Sequence, residues 1–159
     1  MNNLVKVSIK AIYLHPTCKV PVVFISDQSE QVIFPMTIDF LEAQAILIAW
    51  QNISTPRPIT IDLLRNIIEE DLNSNLERVV INNIRFGAFI AKLVIKRGEV
   101  FLEYDCRPSD ALALALRLTA SVYISKHIVE LFKPEQKNII AMLEYLQVES
   151  EDNEDIIKF

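Results

Sequence analysis

Glycine occurs only twice in this 159-residue chain, at Gly87 and Gly98, and that scarcity constrains the fold more than any other feature. Both glycines fall between runs that read as strands, Val79 to Ile84, Ala88 to Lys96 and Val100 to Cys106, so both serve as turns. No glycine-rich loop remains to let a backbone wrap around nucleotide phosphates. Dinucleotide-binding and P-loop folds are therefore excluded.

The N-terminal third carries the same signature. From Leu4 to Leu14, Val5, Val7, Ile9 and Ala11 alternate with Lys6, Ser8 and Lys10, the period of a half-buried strand. His15-Pro16-Thr17 breaks it. Val20 to Ile25 and Gln31 to Phe34 then read as a hairpin across Asp27-Gln28-Ser29-Glu30. Asp39, with Glu42 three residues on, predicts a capping box opening a helix to about Trp50. That helix is apolar almost all round, which predicts packing on more than one side. After Pro56-Arg57-Pro58, a helix capped by Thr60, with Asp62 in its first turn, is expected to reach about Leu72. Arg107-Pro108 ends the last of the three central strands, and Ser109, read as a cap, opens a helix with Asp110 in its first turn. Val122 to Ser125 reads as a short strand and Pro134 to Leu146 as a closing helix. The expected fold is α+β: a mixed, largely antiparallel sheet with about four helices packed on it.

The formal net charge is −5. Five acids against Lys158 place −4 of this between Glu149 and Phe159, leaving −1 for the body, which argues against a broad basic face for nucleic acid. The division is one domain over 1–148 and an acidic tail over 149–159. No apolar run is long enough to span a bilayer, and Met1-Asn2-Asn3-Leu4 lacks the form of a secretory signal, so no membrane association and a cytoplasmic location are expected. Cys18 and Cys106 read as buried, reduced thiols. His15 and His127 make no pair for a catalytic triad or zinc. The aromatic residues read as core packing rather than a base-stacking platform.

The segment Cys106-Arg107-Pro108-Ser109-Asp110-Ala111-Leu112-Ala113-Leu114-Ala115-Leu116-Arg117 resembles the signature of the bifunctional nuclease family, small bacterial and plant domains credited with DNase and RNase activity. Pro35-Met36-Thr37-Ile38 followed by Glu42 to Ile46, Pro56-Arg57-Pro58 with Asp62-Leu63-Leu64, and Val122 to Ser125 are similar to further family segments in the same order. Two positions depart: Asp39 stands where the family pattern has glycine, and Ile61 where it has histidine. If that histidine contributes to cleavage, this member is weak or inactive.

The resemblance implies hydrolysis of DNA and RNA phosphodiesters with Mg²⁺ or Mn²⁺ held by carboxylates. Glu42, Asp105 and Asp110 are the catalytic candidates, with Asp105 and Asp110 as the metal pair. Arg57, Arg107 and Ser109 are the candidates for substrate contact, since a guanidinium fork matches phosphate oxygens. The bland readings are equally concrete. Glu42, Asp62 and Asp110 are helix-start acids placed for capping and dipole reasons, and Arg107 can tie the corner together by pairing with Glu42 or Asp110. The alternative function is a non-catalytic regulatory or binding module holding an anionic ligand or protein partner at the Arg107/Asp110 corner. The apolar first and third helices suggest a homodimer interface.

Overall fold

The computed structural model describes residues 3–152. Their seven strands form one sheet built from two three-stranded meanders. The first is β1 (Leu4–Leu14), β2 (Pro21–Asp27) and β3 (Ile33–Thr37); the second is β4 (Asn75–Arg85), β5 (Ala88–Arg97) and β6 (Val100–Cys106). A short strand, β7 (Ser121–Ser125), joins them, giving the order β3-β2-β1-β7-β4-β5-β6. It runs antiparallel to β1 and parallel to β4, and every other pairing is antiparallel. The expected α+β architecture with a mixed, largely antiparallel sheet is the observed one.

Between the meanders lie α1 (Phe40–Trp50) and α2 (Thr60–Asn66), the latter extended by a π-helical turn, Ile67–Asp71. After β6 come α3 (Pro108–Leu118), then β7, α4 (Lys126–Phe132), a 3₁₀ turn and α5 (Gln136–Asp152). Of the expected acidic tail, the first residues are helical backbone at the end of α5, and those beyond Asp152 lie outside the described residues. No described helix is long and apolar enough to cross a membrane.

Two cores lie on opposite faces of the sheet. The larger buries α1, α3 and α4 against β1, β4, β5 and β7; the smaller packs Ile139, Leu143 and Leu146 of α5 on Tyr13, Val22, Phe24 and Ile33. Each of those three α5 side chains contributes about 1.5–3 kcal/mol by leaving water. Because β2 is covered on both faces, Val22 to Ile25 are all buried, which is why its sequence is a continuous β-branched and aromatic run rather than an alternation. The sheet is strongly curled. Phe132 makes ring contacts with both Phe34 on β3 and Phe89 on β5, at centroid distances of 5.5 and 5.6 Å, although four strands separate these two in the sheet order.

Several expectations are corrected by these contacts. The first helix does not pack all round: Ala43, Ile46 and Leu47 are buried while Phe40 and Leu41 face solvent. The third helix is enclosed by the sheet, α1 and α2, with Ala111 to Ala115 all buried, so it offers no subunit interface. Thr60 is not the cap of α2; Ile59 holds that position, and the Asp62 carboxylate accepts its backbone N–H at 2.9 Å. Ser109 does not cap α3 either, since Arg107 is the cap residue and Pro108 takes the first helical position, where its missing N–H costs nothing. Cys18 is exposed rather than buried. Pro134 lies in the 3₁₀ turn before α5, and α4 was not foreseen because it is only seven residues long, too short to show a helical period. Phe86, at full exposure, is not core packing at all.

Candidate active site

The curl brings three segments distant in sequence to one mouth of the sheet. They are the β3–α1 corner (Pro35 to Ile38, with Glu42), the β4–β5 turn (Gly87 to Phe89) and the β6–α3 corner (Arg107 to Ser109). Together they line an open cleft of about 340 Å³, at the small end of the range for ligand pockets.

On its wall, Arg107 bridges the first turns of two helices. Its Nε donates to Asp110 Oδ2 at 2.7 Å and its Nη2 to Asp110 Oδ1 at 3.0 Å, while Nη1 meets Glu42 Oε1 at 2.5 Å. Glu42 is fixed in turn. Its Oε2 accepts the Asp39 backbone N–H at 3.0 Å, and Asp39 Oδ1 accepts the Glu42 N–H at 2.8 Å, the reciprocal capping box foreseen from the spacing. Exposure is graded along the chain of contacts: Arg107 is 63% exposed, Asp110 35% and Glu42 11%. The Asp110 hydrogen bonds raise the Arg107 pKa above its ordinary value, with Asp110, Glu42 and Asp39 adding Coulombic support, so the guanidinium is a permanent charge. Ser109 is buried in the first turn of α3 and lines the cleft.

Asp105 and Arg57 are not drawn into this cluster. Strand alternation decides the case of Asp105. Cross-strand pairing puts Tyr104 beside buried Leu93, on the helix-covered face, and Asp105 beside Lys92, on the other. Arg57 is exposed on the loop before α2 and does not line the cleft. The corner's donor set therefore does not fit a divalent cation as it stands. Asp110 has both oxygens engaged by Arg107, Asp105 lies on the opposite sheet face, and among the described residues no three of His, Cys, Asp and Glu converge. Between the two acids lies Cys106. Its burial, reinforced by the charges of Asp110 and Asp105, pushes the thiol up to about 11, which makes it an inert neighbour rather than a nucleophile.

The pattern of a known family covers this whole region. The bifunctional nuclease domain matches residues 22–137. The chain belongs to the bifunctional nuclease domain family. Two uncharacterized proteins of Mycobacterium tuberculosis, from strains CDC 1551 / Oshkosh and ATCC 25618 / H37Rv, are each 32% identical to it over 109 residues, 69% of this chain. The chain spans 64% of the length of these curated relatives.

Within this bifunctional nuclease domain, one residue that organises the site escapes sequence reading. Arg117, in the last turn of α3, has a side chain only 6% exposed; its Nε meets Asp62 Oδ1 at 2.5 Å and its Nη1 donates to Ala45 O at 2.9 Å and Ala113 O at 2.8 Å. It thereby ties α3 to α2 and to α1, the helix that carries Glu42. For Asp62, burial acts to raise the pKa, but the hydrogen bond from Arg117, the Ile59 N–H and the nearby guanidinium charges outweigh it, and the net shift is downward. The available signal was an arginine inside an otherwise apolar helix, which needs a carboxylate when buried.

Proposed function

We propose that this domain hydrolyses phosphodiester bonds of DNA and RNA in the cytoplasm, at the cleft between the β3–α1, β4–β5 and β6–α3 corners. One observation carries the reading: two of the family-like segments, 65 residues apart between Glu42 and Arg107, supply a carboxylate and a guanidinium to the wall of the same cleft. Arg107 contacts a phosphoryl oxygen, for which it has N–H groups to spare: a guanidinium carries five, Asp110 takes two and Glu42 a third. Glu42 receives the proton of the attacking water, its oxygens each having a second lone pair. Asp110 is a positioning residue that fixes the guanidinium plane. Mg²⁺ or Mn²⁺ would be held at Asp105 and Asp110 only if Asp110 exchanged Arg107 for the cation and the β6–α3 corner brought Asp105 round from the other sheet face.

The test is cleavage of single-stranded DNA and RNA, with and without Mn²⁺, by the parent chain and by Arg107→Ala, Glu42→Gln and Asp110→Asn. Loss of a hundredfold or more in Arg107→Ala and Glu42→Gln is expected. Activity that survives both substitutions removes this cleft from the chemistry. Equal Mn²⁺ binding by the parent and Asp110→Asn removes Asp110 from any metal site.

A second reading, the non-catalytic module holding an anionic ligand or protein partner at the Arg107/Asp110 corner, has one observation in its favour. The Asp110–Arg107–Glu42 array is complete without substrate. Oligonucleotide binding with no cleavage under any metal condition would select it. The homodimer is also proposed, now through α1 alone. Its outward face, with Phe40 54% and Leu41 77% exposed, borders an apolar groove of about 680 Å³.

A further inference from the structure

We infer that Phe86 is a stacking platform for an unpaired nucleobase, set at the lip of the cleft that holds Arg107. The inference rests on the phosphodiester reading and narrows its substrate to single-stranded or unpaired nucleic acid.

Arg85 pairs with Ala88, so β4 and β5 are joined by a two-residue turn, Phe86-Gly87. Both turn residues have positive φ, +50° at Phe86 and +79° at Gly87, the backbone that keeps a tight hairpin in step with the twist of its strands. Glycine, asparagine and aspartate suit that first position; a phenylalanine is strained there. Burial does not compensate, because the Phe86 side chain is fully exposed. Backbone preference and side-chain hydration therefore both count against phenylalanine at this point. Folding gives no reason for it, and strained residues of this kind collect at working surfaces.

Its position supplies the reason. The next three residues, Gly87 to Phe89, line the cleft together with Arg107. The space over the turn is open: a side chain built on Gly87 would meet no atom within 4 Å. Arg85, on the other flank, is exposed and makes no ion pair among the described residues. An uncovered aromatic ring next to Arg85 in the chain, on the turn that borders the cleft of Arg107, offers what a single strand requires, with bases stacking on the ring and phosphates meeting the cations. A duplex cannot use it, since its base faces are already stacked on one another.

The experiment measures equilibrium binding of a fluorescent single-stranded 12-mer by the full chain without divalent cations, beside a strand of the same length and charge whose sugars lack bases. The base-bearing strand is expected to bind roughly 5- to 100-fold more tightly, the range that one stacking contact supplies. Phe86→Trp should keep the preference. Phe86→Asn, which suits the turn, should lower binding of the base-bearing strand to the level of the abasic one and leave the abasic strand unchanged. A duplex of the same sequence should gain nothing from Phe86. Binding of both strands with equal affinity, or a preference that persists in Phe86→Asn, overturns the platform and leaves the phosphodiester reading standing. If neither strand binds, both readings are removed, and Phe86 is then surface for some other contact.

Discussion

Replacing Asp62 by asparagine leaves the shape of the helix junction intact but strips Arg117 of its counter-charge. The guanidinium has nowhere else to turn. Its side chain is 6% exposed, Nη1 is spent on the carbonyls of Ala45 and Ala113, and Nη2 is buried without a hydrogen-bond partner. Removing one partner of a buried pair costs about 3–5 kcal/mol. Asp62 itself is 25% exposed, so water reaches the vacated position and the asparagine carbonyl still accepts one hydrogen bond. The expected loss is therefore about 2–3 kcal/mol at pH 7. Arg117→Met removes the charge, keeps the stem and leaves a carboxylate that water can solvate, so its loss should be smaller, about 1–2 kcal/mol. The double variant should fall short of the sum of the singles by about 1–2 kcal/mol, since the two share one interaction. Urea unfolding with an unchanged m value measures all three. Acid titration gives an independent check. The folded pKa of Asp62 is depressed below 3.8, so the stability that it contributes is present above that value and is lost as pH falls through the lower folded pKa. The parent should show this acid-side loss and Asp62→Asn should lack that part of it. An Asp62→Asn variant within 0.5 kcal/mol of the parent at pH 7 would refute the reasoning.

Three further outcomes are expected. Phe86→Asn relieves a left-handed backbone without removing any packing, so it should stabilise the fold by about 1 kcal/mol and raise Tm by about 2–4 °C; a lower Tm in calorimetry would show that the ring supports the fold. Alkylation at pH 7.5 should modify exposed Cys18 readily and Cys106 roughly a hundredfold or more slowly, given a thiol pushed up to about 11. Mass spectrometry showing two equally fast sites would contradict the burial of Cys106. Leu41→Glu should shift the protein to a monomer in sedimentation without changing its helicity, and an unchanged mass would exclude the α1 face as the interface.

Much of the fold is legible in local sequence. The alternation from Leu4, the Asp39/Glu42 spacing and the two glycines are short-range signals, and β1, the α1 capping box and the β4–β5–β6 meander follow from them because each is settled by neighbours within a few residues. The capping role of Asp62 and the first-turn place of Asp110 were legible too. Arg107 was legible as a tie to Glu42 or Asp110, and it makes both bonds, whereas that of Arg117 to Asp62, 55 residues away, depends on how α1, α2 and α3 pack.

Sequence by itself determined the strands and every helix but α4, the family, and which residues had the chemistry for phosphate. Tertiary structure decided which of them meet. The curl of the sheet carries the β3–α1 corner, the β4–β5 turn and the β6–α3 corner to one cleft, and strand alternation turns Asp105 away from it. The physical reason is range: hydrogen-bonded turns and caps are fixed by adjacent residues, whereas the curl is a sum over seven twisted strands and two cores, a quantity that no local stretch of sequence contains.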